Sequence, residues 1–236
     1  MEATTDRAAA PELAENRIDG RMDARMDAIE PDSLALQRLY HWERTAPDRI
    51  ALTQPMSGGV VRDFTWAHVA DQVRRMAAHL QSQDWEPGSK VAIPSEYCAW
   101  CLMSALAIWI TGHVSVPLYP TLAADTVRQI LEHSEARACF VGKLDGWDTM
   151  KPGVPADLPC ISCALSPPDA VQSYPGWDQI CARHAPLAGS PVRSNDAATT
   201  EIYTSGTTGK PKGVMHSFGN FAWALDRGLA RIPMTA

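Results

Sequence analysis

Between Val91 and Val141 the chain alternates short apolar runs with stretches of helical periodicity, and this alternation constrains the fold more than any other feature. Val91–Ile93 reads as a strand, Ser95–Ile110 as a helix and His113–Val116 as a strand. A second helix spans about Ala123–Ser134, with Val127, Ile130 and Leu131 on one face, and the strand Ala138–Val141 follows. Strands separated by helices of this length pair in parallel through crossovers, so the order predicts an α/β fold of largely parallel sheets flanked by helices. Upstream, Leu36, Leu39 and Tyr40 stand at helical spacing before Pro47. Ile50–Gln54 and Val60–Thr65 flank Met56-Ser57-Gly58-Gly59 as a hairpin. Trp66, Val69, Ala70, Val73, Met76, Ala77 and Leu80 then mark a buried helix face, with Thr65 as its N-cap. Downstream, Gly142–Pro191 is rich in proline and glycine, with a short strand near Cys160–Ala164 and a short helix near Trp177–Arg183. Thr199–Tyr203 is a further strand, and Phe221–Ile232 carries a final amphipathic helix.

Composition narrows the function classes. The 236 residues are 45% hydrophobic and 20% charged, enough apolar matter for a real core. The 27 acids against 21 bases give a formal charge of −6, which disfavours nucleic acid as a partner because phosphate binding needs a basic surface. Six cysteines are too sparse for a disulfide scaffold, and residues 1–30 hold no secretory signal, so a reducing cytoplasm is the expected location. Those 30 residues repeat Arg-Met-Asp-Ala at 21–24 and 25–28 amid alanine and mixed charge, and read as a disordered tail.

Three further signals point away from the chemistry they first suggest. From Tyr97 to Ala124 there is no Asp, Glu, Lys or Arg, but the continuous apolar part, Tyr97–Ile110, falls short of the ~20 residues that cross a bilayer. A core helix running into a buried strand fits better, with peripheral membrane contact left open. Cys98-Ala-Trp-Cys101 and Cys160-Ile-Ser-Cys163 imitate a four-thiolate metal site, yet their separation far exceeds the ~15–20 residues of compact zinc ribbons. The first pair also lies in the most apolar helix, where neutral thiols pack well, so buried unpaired cysteines are expected and no metal ligand is assigned. Seven histidines are scattered singly, and there is no G-x-S-x-G nucleophile elbow.

One segment departs from this bland composition: Tyr203-Thr-Ser-Gly-Thr-Thr-Gly-Lys-Pro-Lys-Gly-Val-Met-His-Ser217. Glycines let a backbone approach a ligand closely, consecutive amides form an anion nest, and hydroxyls donate to phosphate oxygens. Lys210 and Lys212 add positive charge. The physical target is a polyphosphate, although a glycine-rich hairpin turn has similar composition. A Walker A loop is excluded, because Thr204 stands where its first glycine belongs and Pro211 follows Lys210. Glu201, in the strand leading in, brings a charge that is costly inside a sheet unless paired.

Tyr203–Gly213 closely resembles the phosphate-binding signature of the adenylate-forming (AMP-binding) superfamily of acyl-CoA synthetases, luciferases and peptide-synthetase adenylation domains. The likeness extends through Asp63-Phe64-Thr65-Trp66, Gly88–Ile93 and Val114–Thr121, whose Pro-Leu-Tyr-Pro-Thr run is similar to the long-chain fatty acyl-CoA synthetase branch. The resemblance implies the partial N-terminal region of that fold, a truncated and incomplete AMP-binding domain over 31–236. It implies a ligase that joins a fatty acid or other small carboxylate to ATP, releasing pyrophosphate, and then passes the acyl group to CoA with loss of AMP. Thr204, Ser205, Gly206, Thr207, Thr208, Gly209 and Lys210 would hold the β- and γ-phosphates, with Thr204 and Lys210 as catalytic residues. His216 and Phe218 become candidates for the acyl-pocket wall, though either also suits a core. Ligands for Mg²⁺ are expected beyond Ala236, and so is the rest of the site. The chain alone is therefore expected to be inactive, the alternative being a catalytically incompetent fragment that binds nucleotide or acyl group.

Overall fold

A computed structural model describes residues 29–205 and 211–229. The tail reading for residues 1–28 lies outside the described residues, while Ile29 packs half-buried on the core and its carbonyl accepts from Asn195 Nδ2 at 3.4 Å. Helix α1 (Ala35–Thr45) buries Leu36, Leu39 and Tyr40, as their spacing predicts. An antiparallel hairpin of β1 (Ile50–Pro55) and β2 (Val61–Thr65) turns through Ser57–Gly59 and delivers the chain into α2 (Trp66–Gln81). Thr65 caps α2 as expected: its Oγ1 accepts the His68 amide at 3.2 Å, supplying one of the first-turn donors that have no partner within the helix. The buried face of α2 is Val69, Ala70, Val73, Met76, Ala77 and Leu80.

The alternation then runs through β3 (Lys90–Pro94), α3 (Ala99–Ile110), β4 (Val114–Leu118), α4 (Ala124–Ser134) and β5 (Ala138–Val141). Short pieces follow: α5 (Trp147–Met150), β6 (Cys160–Ser162), α6 (Pro168–Ser173) and α7 (Trp177–Arg183). The chain continues through β7 (Ala198–Ser205), β8 (Pro211–Ser217) and α8 (Phe218–Leu229). The main sheet has the order β6-β5-β3-β4-β7-β8, parallel throughout except for the antiparallel β7–β8 pair. The α/β expectation of a largely parallel sheet flanked by helices therefore holds.

Local boundaries differ in two instructive places. Helix α3 begins at Ala99, not Ser95, because Cys98 is the extended N-cap and Ser95 bonds across to the Lys143 amide at 3.1 Å. Strand β8 occupies a stretch that the sequence presents as the far side of a loop. Its residues are mostly exposed, so it lacks the buried alternation by which strands are recognised, and pairing with β7 is what organises it.

The sheet divides two apolar clusters. On one face α1, α2, α3 and α7 pack Leu39, Met76, Met103, Ile108 and Trp177 against Val91, Ile93 and Phe140. On the other, α4 and α5 pack Val127, Ile130, Trp147 and Met150 against Ala92, Val116 and Val141. The connections switch faces between the parallel strands β3 and β4: β3 leads to α3 on the first face, and β4 leads to α4 on the second. In open α/β sheets the crevice at the carboxyl ends of such a strand pair is where ligands bind. Among the described residues no helix is long and apolar enough to cross a membrane, in line with the reading of Tyr97–Ala124 as core helix and strand.

The Thr65 cap gives the first testable expectation. Thr65→Ala is expected to lower unfolding free energy by about 1 kcal/mol, and Thr65→Gly by only a few tenths, as read from urea unfolding of the two variants.

Candidate functional site

The carboxyl ends of β3, β4 and β7 converge on one edge of the sheet, where two clefts flank the end of β7. The first, about 490 Å³, lies between Ile93 in β3, Glu96 and Tyr97 just beyond it, and Leu118 at the end of β4, with Ile202 and Cys101 as further walls. The second, about 400 Å³, is lined by Leu122, Thr126, Ile130, Tyr203, Thr204 and Pro211. Pro117 and Tyr119 border both. Successive strand residues point to opposite faces, which is how Ile202 walls one cleft and Tyr203 the other.

What holds β7 in place is a buried polar seam. One Cα pair, Ser115 with Thr200, sets its register on β4. There the Trp109 indole N–H reaches the Thr199 carbonyl at 2.8 Å, and the Ser115 and Thr200 hydroxyls meet at 2.8 Å. The chain returns along β8 with Tyr203 opposite Gly213, Thr204 opposite Lys212 and Ser205 opposite Pro211. Thr204 and Lys212 are exposed, so the mouth of the hairpin presents a hydroxyl and an ammonium to solvent side by side. Those two groups suit an anion. Gly206, Thr207, Thr208, Gly209 and Lys210, together with the Ser205 side chain, lie outside the described residues. His216 is half-buried on β8, and its carbonyl accepts from Thr199 Oγ1 at 3.1 Å. Phe218 is buried in the first core cluster against Trp109, with ring centroids 5.9 Å apart. Neither residue is on the lining of the two clefts at this edge.

Below the hairpin mouth lies a network that sequence reading missed. Glu201 is 7% exposed, and its Oε1 accepts the Tyr203 hydroxyl at 3.0 Å. The same hydroxyl meets His133 Nδ1, from α4, at 2.6 Å. Since the single phenolic proton goes to Glu201, the His133 nitrogen that meets the oxygen is the protonated one. Burial, reinforced by the Glu201 carboxylate, raises the Tyr203 phenol above its ordinary range and keeps it a donor. The expected cost of a carboxylate in this strand is thus met at one oxygen. The other, Oε2, is buried without a hydrogen-bond partner. Glu201 also crowds Gly213, its diagonal neighbour across the strand pair: a Cβ there would come within 2.1 Å of Oε1, so the carboxylate that accepts from Tyr203 would have to move. The sequence signal for this network was the misfit of Glu201 itself; nothing local marked His133.

The two C-x-x-C pairs do not gather into one site. Cys160 sits in register with Cys139 in the second cluster, whereas Cys98, Cys101 and Cys163 lie with the first. All six cysteines are free thiols, and among the described residues no group of three or more His, Cys, Asp or Glu is placed to hold a metal.

The AMP-binding enzyme family model matches residues 39–232, nearly all of the described chain. The chain belongs to the AMP-binding enzyme family. It is 37% identical over 215 residues to the long-chain-fatty-acid–CoA ligase FadD15 of Mycobacterium tuberculosis, covering 86% of this chain and 34% of that protein. It is 27% identical over 194 residues to N-(5-amino-5-carboxypentanoyl)-L-cysteinyl-D-valine synthase of Penicillium rubens, covering 80% of this chain and 5% of that one. Among solved structures, a benzoate CoA ligase from Burkholderia xenovorans LB400 superimposes with a TM-score of 0.64 at 20% identity, over 81% of this chain and 36% of that one. VinN with 3-methylaspartate gives 0.67 at 19% identity, over 86% and 52%. At such identities the structures report a shared fold, over part of each of those chains. This AMP-binding chain spans about a third of the ligase it resembles at 37% identity.

Two outcomes test the buried network. Tyr203→Phe removes the shared hydroxyl and strands Glu201 Oε1 and His133 Nδ1, so a loss of about 1–3 kcal/mol is expected in chemical unfolding. Gly213→Ala is expected to cost about 1–3 kcal/mol by overpacking against Glu201, and a double-mutant cycle with Glu201→Ala should return a favourable coupling of about 1 kcal/mol or more.

Proposed function

We propose that this chain is the phosphate-gripping N-terminal part of an ATP-dependent long-chain fatty acid–CoA ligase. The observation that carries the reading is the β7–β8 hairpin, which opens at the sheet's carboxyl edge with Thr204 and Lys212 exposed at its mouth. The likeness to FadD15 supports fatty acid and CoA as the substrates.

In the reaction proposed, a fatty-acid carboxylate oxygen attacks the α-phosphorus of ATP, and pyrophosphate leaves. The acyl-adenylate that results passes its acyl group to the CoA thiol and releases AMP. Negative charge grows on the departing pyrophosphate, so donors already fixed around the β- and γ-phosphates stabilise the transition state more than the ground state. Thr204, the amides and hydroxyls of Ser205–Gly209, and the Lys210 ammonium are the groups assigned to that task. Two strands anchored through the Trp109 and Ser115 seam carry the segment, so its ends are ordered before ATP arrives. Mg²⁺, when bound, neutralises phosphate charge, and its ligands are assigned to parts of the whole enzyme outside this chain.

The test is ATP–pyrophosphate exchange dependent on fatty acid, in the complete enzyme that carries this chain. Lys210→Ala is expected to slow exchange by about 10²–10³-fold, the scale for losing one such donor. Exchange at the unaltered rate overturns the assignment of the loop. The alternative reading is a chain that binds nucleotide or acyl group without turnover. It is supported if ATP binds and no exchange is found.

A further inference from the structure

The carboxyl end of β7 is held differently from its start. Its register on β4 is set at Ser115–Thr200, and beyond Thr200 the strand pairs with β8, the outermost strand of the sheet. The hold of Glu201–Ser205 on the body of the protein therefore comes from side chains. Among the described residues, one side-chain hydrogen bond joins this stretch to a helix: His133 Nδ1 of α4 meets the Tyr203 hydroxyl at 2.6 Å. The two rings also pack edge to face, with centroids 5.6 Å apart and planes at 85°.

The bond spans a cleft. Thr126 and Ile130 of α4 form one wall of the second cleft, and Tyr203, Thr204 and Pro211 of the hairpin form the other. His133 stands three residues after Ile130 in the last turn of α4, a spacing that puts both on one side of the helix. Glu201 gives the chain of bonds its direction. Its buried Oε1 takes the phenolic proton at 3.0 Å, so the phenol oxygen accepts from His133 and a donor is required at that position. His133 itself is exposed, so a substitution there leaves the apolar clusters intact.

On the ligase reading of this hairpin, we propose that His133 is a positioning residue for the phosphates of ATP. It acts through Tyr203: by tying that ring to α4 it fixes Thr204, the next residue and the first of the groups assigned to the phosphates. A group already in place when its ligand arrives spares the binding step the cost of ordering it. Without the tie, the end of β7 keeps only its partner β8 and its packing, and part of the affinity for ATP goes into ordering the hairpin mouth.

The experiment uses the complete enzyme that carries this chain. ATP affinity is read by calorimetry without fatty acid, and KM values by fatty-acid-dependent ATP–pyrophosphate exchange. His133→Ala is expected to raise both the Kd and the KM for ATP by about five- to tenfold, the scale of one hydrogen bond, while the KM for fatty acid stays within about twofold. His133→Asn, whose amide nitrogen takes the place of Nδ1, should recover most of the loss; His133→Asp, similar in size but acceptor-only when ionised, should not. A purely structural role lowers the folded fraction and the rate but leaves both ATP constants at their wild-type values, and that result overturns the proposal. Recovery by Asn no greater than by Asp overturns it too. Lys210→Ala separates this inference from the reading beneath it. Slowed exchange in Lys210→Ala, with ATP affinity unmoved in His133→Ala, sinks the role of His133 alone; unaltered exchange in Lys210→Ala sinks the assignment of the loop.

Discussion

The Trp109 side chain is the fastener on which the functional edge of this molecule depends. Its indole N–H bonds the Thr199 carbonyl at 2.8 Å, beside the single register pair that joins β7 to β4. On its ring rest Phe218 and Phe221, at centroid distances of 5.9 and 5.6 Å, so the same residue receives the helix that follows the hairpin. Ser115 and Thr200 complete the seam with a hydroxyl pair in the interior, where a satisfied polar contact is worth more than in water and an unsatisfied one costs more. A strand held by few ladder bonds but several buried side-chain bonds tolerates little slippage. The two strands of the hairpin are therefore held to the sheet in one register.

Charge is partitioned around this edge. Thr204 and Lys212 face solvent at the hairpin mouth, whereas Glu201 is turned into the sheet face and tied to Tyr203, itself tied to His133. A carboxylate near a phosphate site opposes anion binding, and burying it against a phenolic donor limits that effect. The arrangement leaves no room for a Cβ at Gly213 unless the Glu201 carboxylate shifts away from its place beside Tyr203.

How far each element was legible follows from where its defining information lies. Helix α2 was readable end to end, because its cap and its six buried positions are all local. The start of α3 was misplaced by four residues: Cys98 gives no side-chain cap, and the apolar run from Tyr97 onward hides the turn that Ser95 makes toward Lys143. Strand β8 was illegible because its exposed residues gain strand structure from β7 rather than from their own pattern. The phosphate-loop reading rested on a local run of glycines and hydroxyls, so it was available at once. The contributions of His133 and Trp109, at 70 and 90 residues from their partners, were not.

By itself the sequence determined the α/β class, the core faces of the long helices and the glycine- and hydroxyl-rich segment proposed as the phosphate grip, since periodicity, caps and glycine-rich loops act over a few residues. Tertiary structure alone decided which distant side chains meet: Tyr203 with His133, Trp109 with the Thr199 carbonyl, and Ser115 with Thr200. The physical reason is that strand order and side-chain alternation in a folded sheet choose such neighbours. Cys160 and Cys163, two positions in one short motif, fall into the two different apolar clusters, a division that only the folded sheet makes.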